Sequence, residues 1–493
     1  MKTDRARSRC RSQGRFPAIA PLLFVLTAHG ALAQAGADAA ATAGATVSTG
    51  SMFTVEDAEA VLADIQDRWT SSYEKEGEFG AFWEYGNALH SLIRFFATVE
   101  QRDLDPVWVE ANRDGLRRLV QTGREFYFVT NRSRLEGFWV DDFGWWGLMF
   151  LAAQDTFGSV PGGLDGVAWA EDCWARIAAL CGSDDGPVPG GCWNQPGSGQ
   201  VQNSIVNALY LTLSVRLYRE TSDARTYLPS IARSVGWFLG WIDPPSSAPA
   251  VCPATVNRQG DPTGLLRNGV YRFDPVQDYT FSIQLPEQAI LFAGLAELAA
   301  LDPSSMEDRG DLDAVRSLRE SQEGARNLLG RLSAHWTRFF TPKGVLQVPP
   351  FSFNAALPDA MVVGKGHFLR YALEAEAALL AHGSDLTEYY QPTADAAWAT
   401  RRDGSLGPDW VPAGPGRKAF AESFHDFYTS GVGPRPAACP ALDDPDYPFL
   451  PESEWCSYGF SSEVTQSPHV AITVQTLGLD AMTAAMAHWP KGQ

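Results

Sequence analysis

The chain has 493 residues, of which 20% are charged, and a formal net charge of −19. So acidic a balance repels nucleic-acid phosphates and anionic membrane surfaces and points to neutral or cationic partners. After the first 33 residues no run reaches the ~18 apolar residues that a membrane-spanning helix requires.

Residues 1–33 read as an export signal. Lys2, Arg5, Arg7, Arg9, Arg11 and Arg15 form a basic start, an apolar stretch follows from Phe16, and Ala31-Leu32-Ala33 fits a small-residue cleavage site. These six bases stand against one acid, Asp4, so removal of the segment takes the net charge from −19 to −24. A periplasmic or secreted protein is expected. Residues 34–51, rich in Ala, Gly, Ser and Thr, lack periodicity and read as a disordered linker. Cys10 lies in the signal; Cys173, Cys181, Cys192, Cys252, Cys439 and Cys456 remain. An even count in an exported protein predicts up to three disulfides and no free thiol. One bridge is expected among Cys173, Cys181 and Cys192, and another between Cys439 and Cys456. No C-x-x-C or H-E-x-x-H run is present, and His90, His335, His367 and His469 show no ligand spacing. No metal or cofactor is therefore expected, and these histidines read as packing or surface residues.

Beyond residue 51, apolar residues recur at helical spacing over 54–70, 80–98, 105–123, 142–156, 165–181, 200–220, 224–241, 280–300, 313–339, 364–382, 388–401 and 466–488. Strand-like alternation is scarce, and no fixed repeat of 20–50 residues marks a solenoid. About a dozen helices of similar length, joined as hairpins, predict one all-α domain over 52–493, a six-hairpin (α/α)6 toroid. Irregular insertions interrupt it near 243–278 and 402–465. A monomer is expected.

The stretch from Glu136 to Asp155 stands out. Adjacent Asp141 and Asp142 lie between Trp139 and the pair Trp145-Trp146, at the start of a helical run. The structural reading is helix capping, because a carboxylate accepts orphan N–H groups at an N-cap and suits the dipole there. The functional reading is a sugar-cleaving site: two carboxyl groups beside flat apolar rings on which pyranoses stack. Farther on, Asn203 and Asn207 lie four residues apart and share a helix face near its tip. They fit a pocket lining and surface positions equally well. Asp184-Asp185, in a Gly-rich loop, reads as a turn. A terpene-cyclase reading requires an Asp-x-x-Asp continuation, and Trp145 stands there instead.

The order of motifs resembles glycoside hydrolase family 76, the bacterial and fungal α-1,6-mannanases. The double Asp with its Trp-rich helix start, DDFGWWGLMF, is followed by a Gly-Gly…Trp loop, GGCWN at 190–194, which contributes Trp193 and Asn194. Then come Asn203 and Asn207 in QNSIVNALYL, and the run KGHFLRY with Lys365 and Arg370. The family's Asn-Gln pair corresponds here to Glu287-Gln288, and Gly364 replaces the aromatic residue that usually precedes the Lys-Gly. The resemblance implies an (α/α)6 barrel that cleaves a mannan-like polysaccharide with retention of configuration. It implies Asp141 as nucleophile and Asp142 as acid/base, whose carboxyls must lie ~5–5.5 Å apart. Trp83, Trp139, Trp145, Trp146, Trp193, Asn194, Asn203, Asn207, Glu287, Gln288, Lys365 and Arg370 are the expected substrate contacts. Several have a bland alternative: Trp83 as core, Glu287 as a surface residue after Pro286, Lys365 and Arg370 as an ion-paired, solvated helix start. A sugar-binding protein without turnover, and a lyase on the same scaffold, are the other readings.

Overall fold

The computed structural model describes residues 51–76, 82–131, 135–159, 163–182, 184, 186–195, 201–244, 253–255, 264–271, 284–308, 310–341, 343–346, 358–401, 405–406, 410 and 468–490. The signal, nearly all of the linker, Cys252, Cys439, Cys456 and most of both insertions lie outside the described residues.

Each helical stretch read from the sequence is found. In chain order the helices are α1 (Val55–Glu76), α2 (Phe82–Arg102), α3 (Pro106–Glu125), α4 (Val140–Phe157), α5 (Gly166–Ala178), α6 (Ser204–Thr221), α7 (Ala224–Ile242), α8 (Leu285–Ala300), the short α9 (Ser304–Asp308), α10 (Leu312–Leu332), α11 (Pro358–Glu374), α12 (Glu376–Ala381), α13 (Thr387–Ala399) and α14 (Pro468–Met486). Several boundaries differ by a few residues, and two stretches change type at one end. The stretch 200–220 begins as a strand, β1 (Val201–Asn203), because the Asn203 side chain caps the Val206 N–H and starts the helix only at Ser204. The stretch 313–339 tightens into a 3-10 segment at Ser333–Phe339. β1 pairs antiparallel with β2 (Gly269–Tyr271), which belongs to the first insertion.

Helix neighbours define two concentric layers. α2, α4, α6, α8, α11 and α14 each pack on the next, and α14 closes on α2. Around this ring α3 packs on α2, α5 on α4, α7 on α6, α10 on α8, and α1 and α13 on α14. This is the (α/α)6 toroid. The sequence dictates which helix goes where. α6 is buried at every position from Ser204 to Tyr218, so it suits the inner layer. α3 buries Val109, Leu116, Val120 and Gly123 alone, a single stripe, and belongs outside. Outer helices start on aspartate caps: Asp105, Asp165, Asp223 and Asp311 accept from the N–H three residues on. Inner helices approach closely; a β-carbon on Gly144 of α4 would lie 2.7 Å from the Cβ of Leu209 on α6.

The inner ring carries buried ion pairs. Arg370 on α11 binds Asp480 on α14 through Nε (3.1 Å) and Nη2 (2.7 Å), and also reaches Asn87 and Ser91 on α2. One turn further along α11, Glu374 meets Arg216 of α6, which also binds Glu297 of α8, both at 2.6 Å. Arg94 of α2 also reaches Glu374, at 3.3 Å. These contacts join the C-terminal halves of four inner helices, so their N-termini share the opposite end.

Cys181 and Cys192 form a disulfide, as expected within the 173–192 group. The expectation that every cysteine pairs fails at Cys173, which is a free, buried thiol. Its side chain faces inward from α5, beside Gly147 of α4 and in hydrogen-bonding contact with Tyr127, where packing holds it.

Two outcomes test this architecture. Asp480→Ala leaves the Arg370 guanidinium buried and unpaired, and is expected to cost about 3–5 kcal/mol in thermal or urea unfolding. Asp114→Ala, which removes an exposed i,i+3 pair with Arg117, is expected to change stability by less than about 0.5 kcal/mol. A maleimide probe read by peptide mass is expected to label Cys173 only on unfolding, and Cys181 and Cys192 only after reduction.

Candidate active site

The head of α4 is held in place from the loop that precedes α6. The Cys181–Cys192 bridge closes that loop, and its strand-like edge continues through Trp193 N–H to the Leu180 carbonyl (3.0 Å). Gly191 is required there, because a β-carbon would lie 2.2 Å from Trp237 Nε1. The side chain of Asn207 on α6 accepts from the Cys192 N–H (2.9 Å) and donates to the Asn203 carbonyl (2.8 Å). The Asn194 carbonyl then accepts from the Val140 N–H (3.1 Å), an otherwise orphaned donor at the start of α4. So the Asn194 backbone and the Asn203 and Asn207 side chains orient the loop and the helix starts.

Asp141 and Asp142 are not caps. The N-cap position of α4 is Trp139, and no side chain caps it. Both carboxyls lie in the first turn, where the positive end of the dipole favours an anion. Asp142 is buried and Asp141 half-buried, with Oδ1 of Asp141 enclosed and lacking a hydrogen-bond partner. Burial raises the Asp141 carboxyl to about 6, with nearby backbone N–H groups acting against it. Burial raises Asp142 well above the usual carboxylate range, and the charges of Asp141 and of Glu84 on α2 raise it further. Asp142 thus carries two like-charge penalties, and the pair splits: Asp141 gives up its proton first.

A third helix head contributes Glu287, the first-turn acid of α8. It is 1% exposed, so the surface reading of this residue is overturned. Burial and the Asp141 charge raise its carboxyl to about 8, against its own backbone N–H. Glu84, which the sequence reading missed, is the fourth carboxyl of the cluster. The available signal was an acid in the first turn of an inner helix, directly after Trp83.

The aromatic residues divide. Trp139 is 46% exposed beside the pair, open for stacking. Trp83 and Trp145 form a cluster with His367, whose ring lies 4.9 Å from Trp145 and 6.0 Å from Trp83. Trp146 points the other way. It is fully buried, donates to the Phe82 carbonyl (2.9 Å) and packs on Phe82, Phe126 and Phe150, so it is a core residue. Trp193 is buried in the loop.

The remaining candidates are structural in their contacts. Gln288 exchanges two hydrogen bonds with the backbone of Leu266 (3.0 and 2.6 Å), pinning the first insertion over the head of α8. Lys365 is buried, not solvated, with its ammonium 4.1 Å from the ring centre of Trp410 in the second insertion. Arg370 spends its donors on Asp480, Asn87 and Ser91. Among the described residues no group of His, Cys, Asp and Glu fits a metal ion, and no helix is long and apolar enough to cross a membrane.

Comparison with known proteins adds a family likeness. A family model described as glycosyl hydrolase family 76 matches residues 43–241, which include Asp141, Asp142, Trp193 and Asn207. No curated protein matches the chain significantly. Among solved structures, Dfg5 from Chaetomium thermophilum in complex with glucosamine is 15% identical, covering 89% of this chain and 91% of that chain, with a TM-score of 0.52. An inactive α-1,6-mannanase variant from Salegentibacter sp. HEL1_6, with two consecutive aspartates replaced by asparagine and α-1,6-mannotriose bound, is 15% identical over 73% of this chain and 93% of that chain, with a TM-score of 0.49. A family 76 glycoside hydrolase from a bovine Bacteroides thetaiotaomicron strain is 15% identical over 74% of both chains, with a TM-score of 0.46. At such identities the likeness to Dfg5 concerns the fold alone, and it agrees with the ring of helices described above. The match over residues 43–241 bears out the resemblance read from the motifs for that part of the chain, which is similar to glycosyl hydrolase family 76.

Proposed function

We propose that this chain is an exported, retaining glycoside hydrolase that cleaves α-1,6-linked mannan internally. Residues 1–33 are its export signal, and 52–493 form one catalytic domain with two insertions. The observation that carries the reading is the pair of adjacent carboxyls in the first turn of α4, Asp142 buried and Asp141 half-buried beside the exposed Trp139, with the charge of Asp141 raising the Asp142 carboxyl. The family match supports glycoside hydrolysis, and the exposed Trp139 supplies a face on which a sugar ring stacks.

In this reaction ionised Asp141 attacks the anomeric carbon. As the glycosidic bond breaks, Asp142 gives its proton to the leaving oxygen, and a covalent glycosyl-Asp141 ester forms. Asp142, now a carboxylate, takes a proton from water; that water attacks the anomeric carbon and releases Asp141. Two displacements give net retention. The N-terminal end of α4 stabilises the attacking anion, and the charge on Asp141 keeps the proton on Asp142 before attack.

Asp141→Asn is expected to abolish the covalent intermediate, because an amide is no carboxylate nucleophile. Asp142→Asn is expected to lose about 10²–10⁴-fold on mannan. It should keep its first step on a substrate with a good leaving group, accumulate the intermediate by mass spectrometry, and recover turnover with azide to give a product of retained configuration. Azide rescue of the Asp141 variant with inverted product would exchange the two roles. Near wild-type activity in both variants would leave a sugar-binding scaffold.

The pH profile is a second check. kcat/KM on mannan is expected to rise with pH through about 6, as Asp141 ionises, and to fall at higher pH, where Asp142 loses its proton. The falling limb should vanish in Asp142→Asn. A ladder of oligomannosides among early products is expected from internal cleavage; mannose alone would refute that mode.

A further inference from the structure

Double displacement uses carboxyls in the first turn of α4 and leaves the layer beneath them without a part. Trp145 stands four residues after Asp141, on the same face of α4 and about one turn deeper in the ring. Its ring lies 4.9 Å from that of His367 on α11 and 6.4 Å from that of Trp83 on α2, and the rings of His367 and Trp83 are 6.0 Å apart, edge to face. In the order α2, α4, α6, α8, α11, α14, helices α4 and α11 stand opposite each other, so the contact of Trp145 with His367 crosses the centre of the ring. Two glycines of α11 show why His367 points there. A β-carbon on Gly364 would lie 2.8 Å from Pro286 Cδ on α8, and one on Gly366 would lie 2.8 Å from Leu477 Cα on α14, the two neighbours of α11. His367 follows on the face between them. The three rings close the axis and form a floor under Asp141.

One atom of this floor does not suit a layer that only packs. The His367 side chain is 1% exposed, and its Nε2 is enclosed without a hydrogen-bond partner among the described residues. Native proteins rarely leave such an atom unsatisfied. Burial, and then the Arg370 charge, hold the imidazole well below its usual range, so it is neutral and Nε2 either donates or accepts. A hydroxyl matches both states. With Trp145 only 4% exposed, the floor is met by one small group and not by the face of a sugar ring. His90, about two turns below Trp83 on α2 and wholly buried, lies too deep to take part. The chain of a 1,6-linked hexose then selects the hydroxyl. C1 and C6 carry the neighbouring units along the groove, and C2 lies beside the attacked carbon. The corner of the ring opposite C1 is C4, and its hydroxyl is free.

Resting on the reading of Asp141 as nucleophile toward a 1,6-linked mannoside, we propose that His367 is a specificity-determining residue whose Nε2 binds the C4 hydroxyl of the sugar that Asp141 attacks. The site then discriminates at C4: it accepts the equatorial hydroxyl of mannose and rejects sugars in which that hydroxyl is axial or absent. Trp83 and Trp145 hold the imidazole in place and keep water from the hydrogen bond.

The test measures kcat/KM of the full exported chain on α-1,6-mannobiose and on its forms with a 4-deoxy or a 3-deoxy non-reducing unit, in the wild type, His367→Phe and His367→Gln. Intrinsic reactivity of each sugar cancels when one enzyme is compared with another. The preference for the parent over the 4-deoxy sugar is expected to be about tenfold larger in the wild type than in His367→Phe, the worth of one buried hydrogen bond. His367→Gln, which keeps a polar group, should retain part of it, and the 3-deoxy ratio should not change with the enzyme. A 4-deoxy ratio equal in the wild type and a folded His367→Phe, or a loss in that variant shared by all three sugars, would overturn the proposal. If the variants do not fold, nitrogen-15 NMR of the histidine-labelled chain carrying Asp141→Asn decides. One buried imidazole nitrogen should shift with the parent disaccharide and not with its 4-deoxy form; no response, or the same response to both, would overturn the proposal. The hydrolase reading is scored separately. Hydrolysis without discrimination at C4 sinks this inference and spares that reading, whereas an imidazole response at C4 without hydrolysis does the reverse.

Discussion

Inner helices that share one direction place their N-termini at one end of the ring. Each such end presents unpaired N–H groups and the positive pole of a helix dipole. Glu84, Asp141, Asp142 and Glu287 all sit in first turns of inner helices at that end. The arrangement lets the protein bury several acids that would otherwise be expelled from a core. It offsets the desolvation only in part, which is why Asp141 and Glu287 remain shifted upward. At the opposite end the C-terminal halves are tied by Arg216, Glu297, Glu374 and Arg94. One end is cross-linked by ion pairs and the other gathers first-turn acids. Stability and chemistry are thus separated along the axis of the ring.

A second layer of contacts sets where the Asp pair stands. The disulfide, the Asn207 amide and the Asn194 carbonyl form a continuous chain from α6 to the first N–H of α4. None of these groups needs to touch a sugar to matter. A shift of the loop moves Asp141 and Asp142 together, and displacements near an ångström are costly to catalysis. Gln288 and Gln475 play the same part for the insertions. Each uses both ends of its amide on one backbone residue, Leu266 and Leu406 respectively, which anchors irregular chain over the heads of α8 and α14.

The fold was legible because inner and outer helices differ in pattern. Mostly apolar runs such as 204–218, with Arg216 their one charged residue, and single stripes such as that of α3 each say how much of a helix is enclosed. Asp141 and Asp142 stood out because three Trp lie within a few positions of them. Periodicity did not reveal which of those rings faces outward. Trp139 precedes the helix and stays exposed, while Trp146 falls on the α4 face that meets Phe82 and Phe126. The solvated alternative for Lys365, Arg370 and Glu287 fails for one reason: a charged residue near a helix start reads as solvated unless its surroundings, distant in sequence, are known. Asp480 lies 110 positions from Arg370, and Trp410 belongs to an insertion without helical signal. Glu84 was missed because one acid beside Trp83 carries no local pattern; its meaning comes from the ring bringing α2 beside α4.

The account depends on two adjacent carboxyls holding different protonation states. Carbon-13 NMR titration of the aspartate carboxyls, assigned by Asp141→Asn and Asp142→Asn, measures this directly. The account predicts that the Asp141 carboxyl titrates near 6 while Asp142 stays protonated to higher pH. Two carboxyls titrating together near the ordinary aspartate value of about 4 would contradict it.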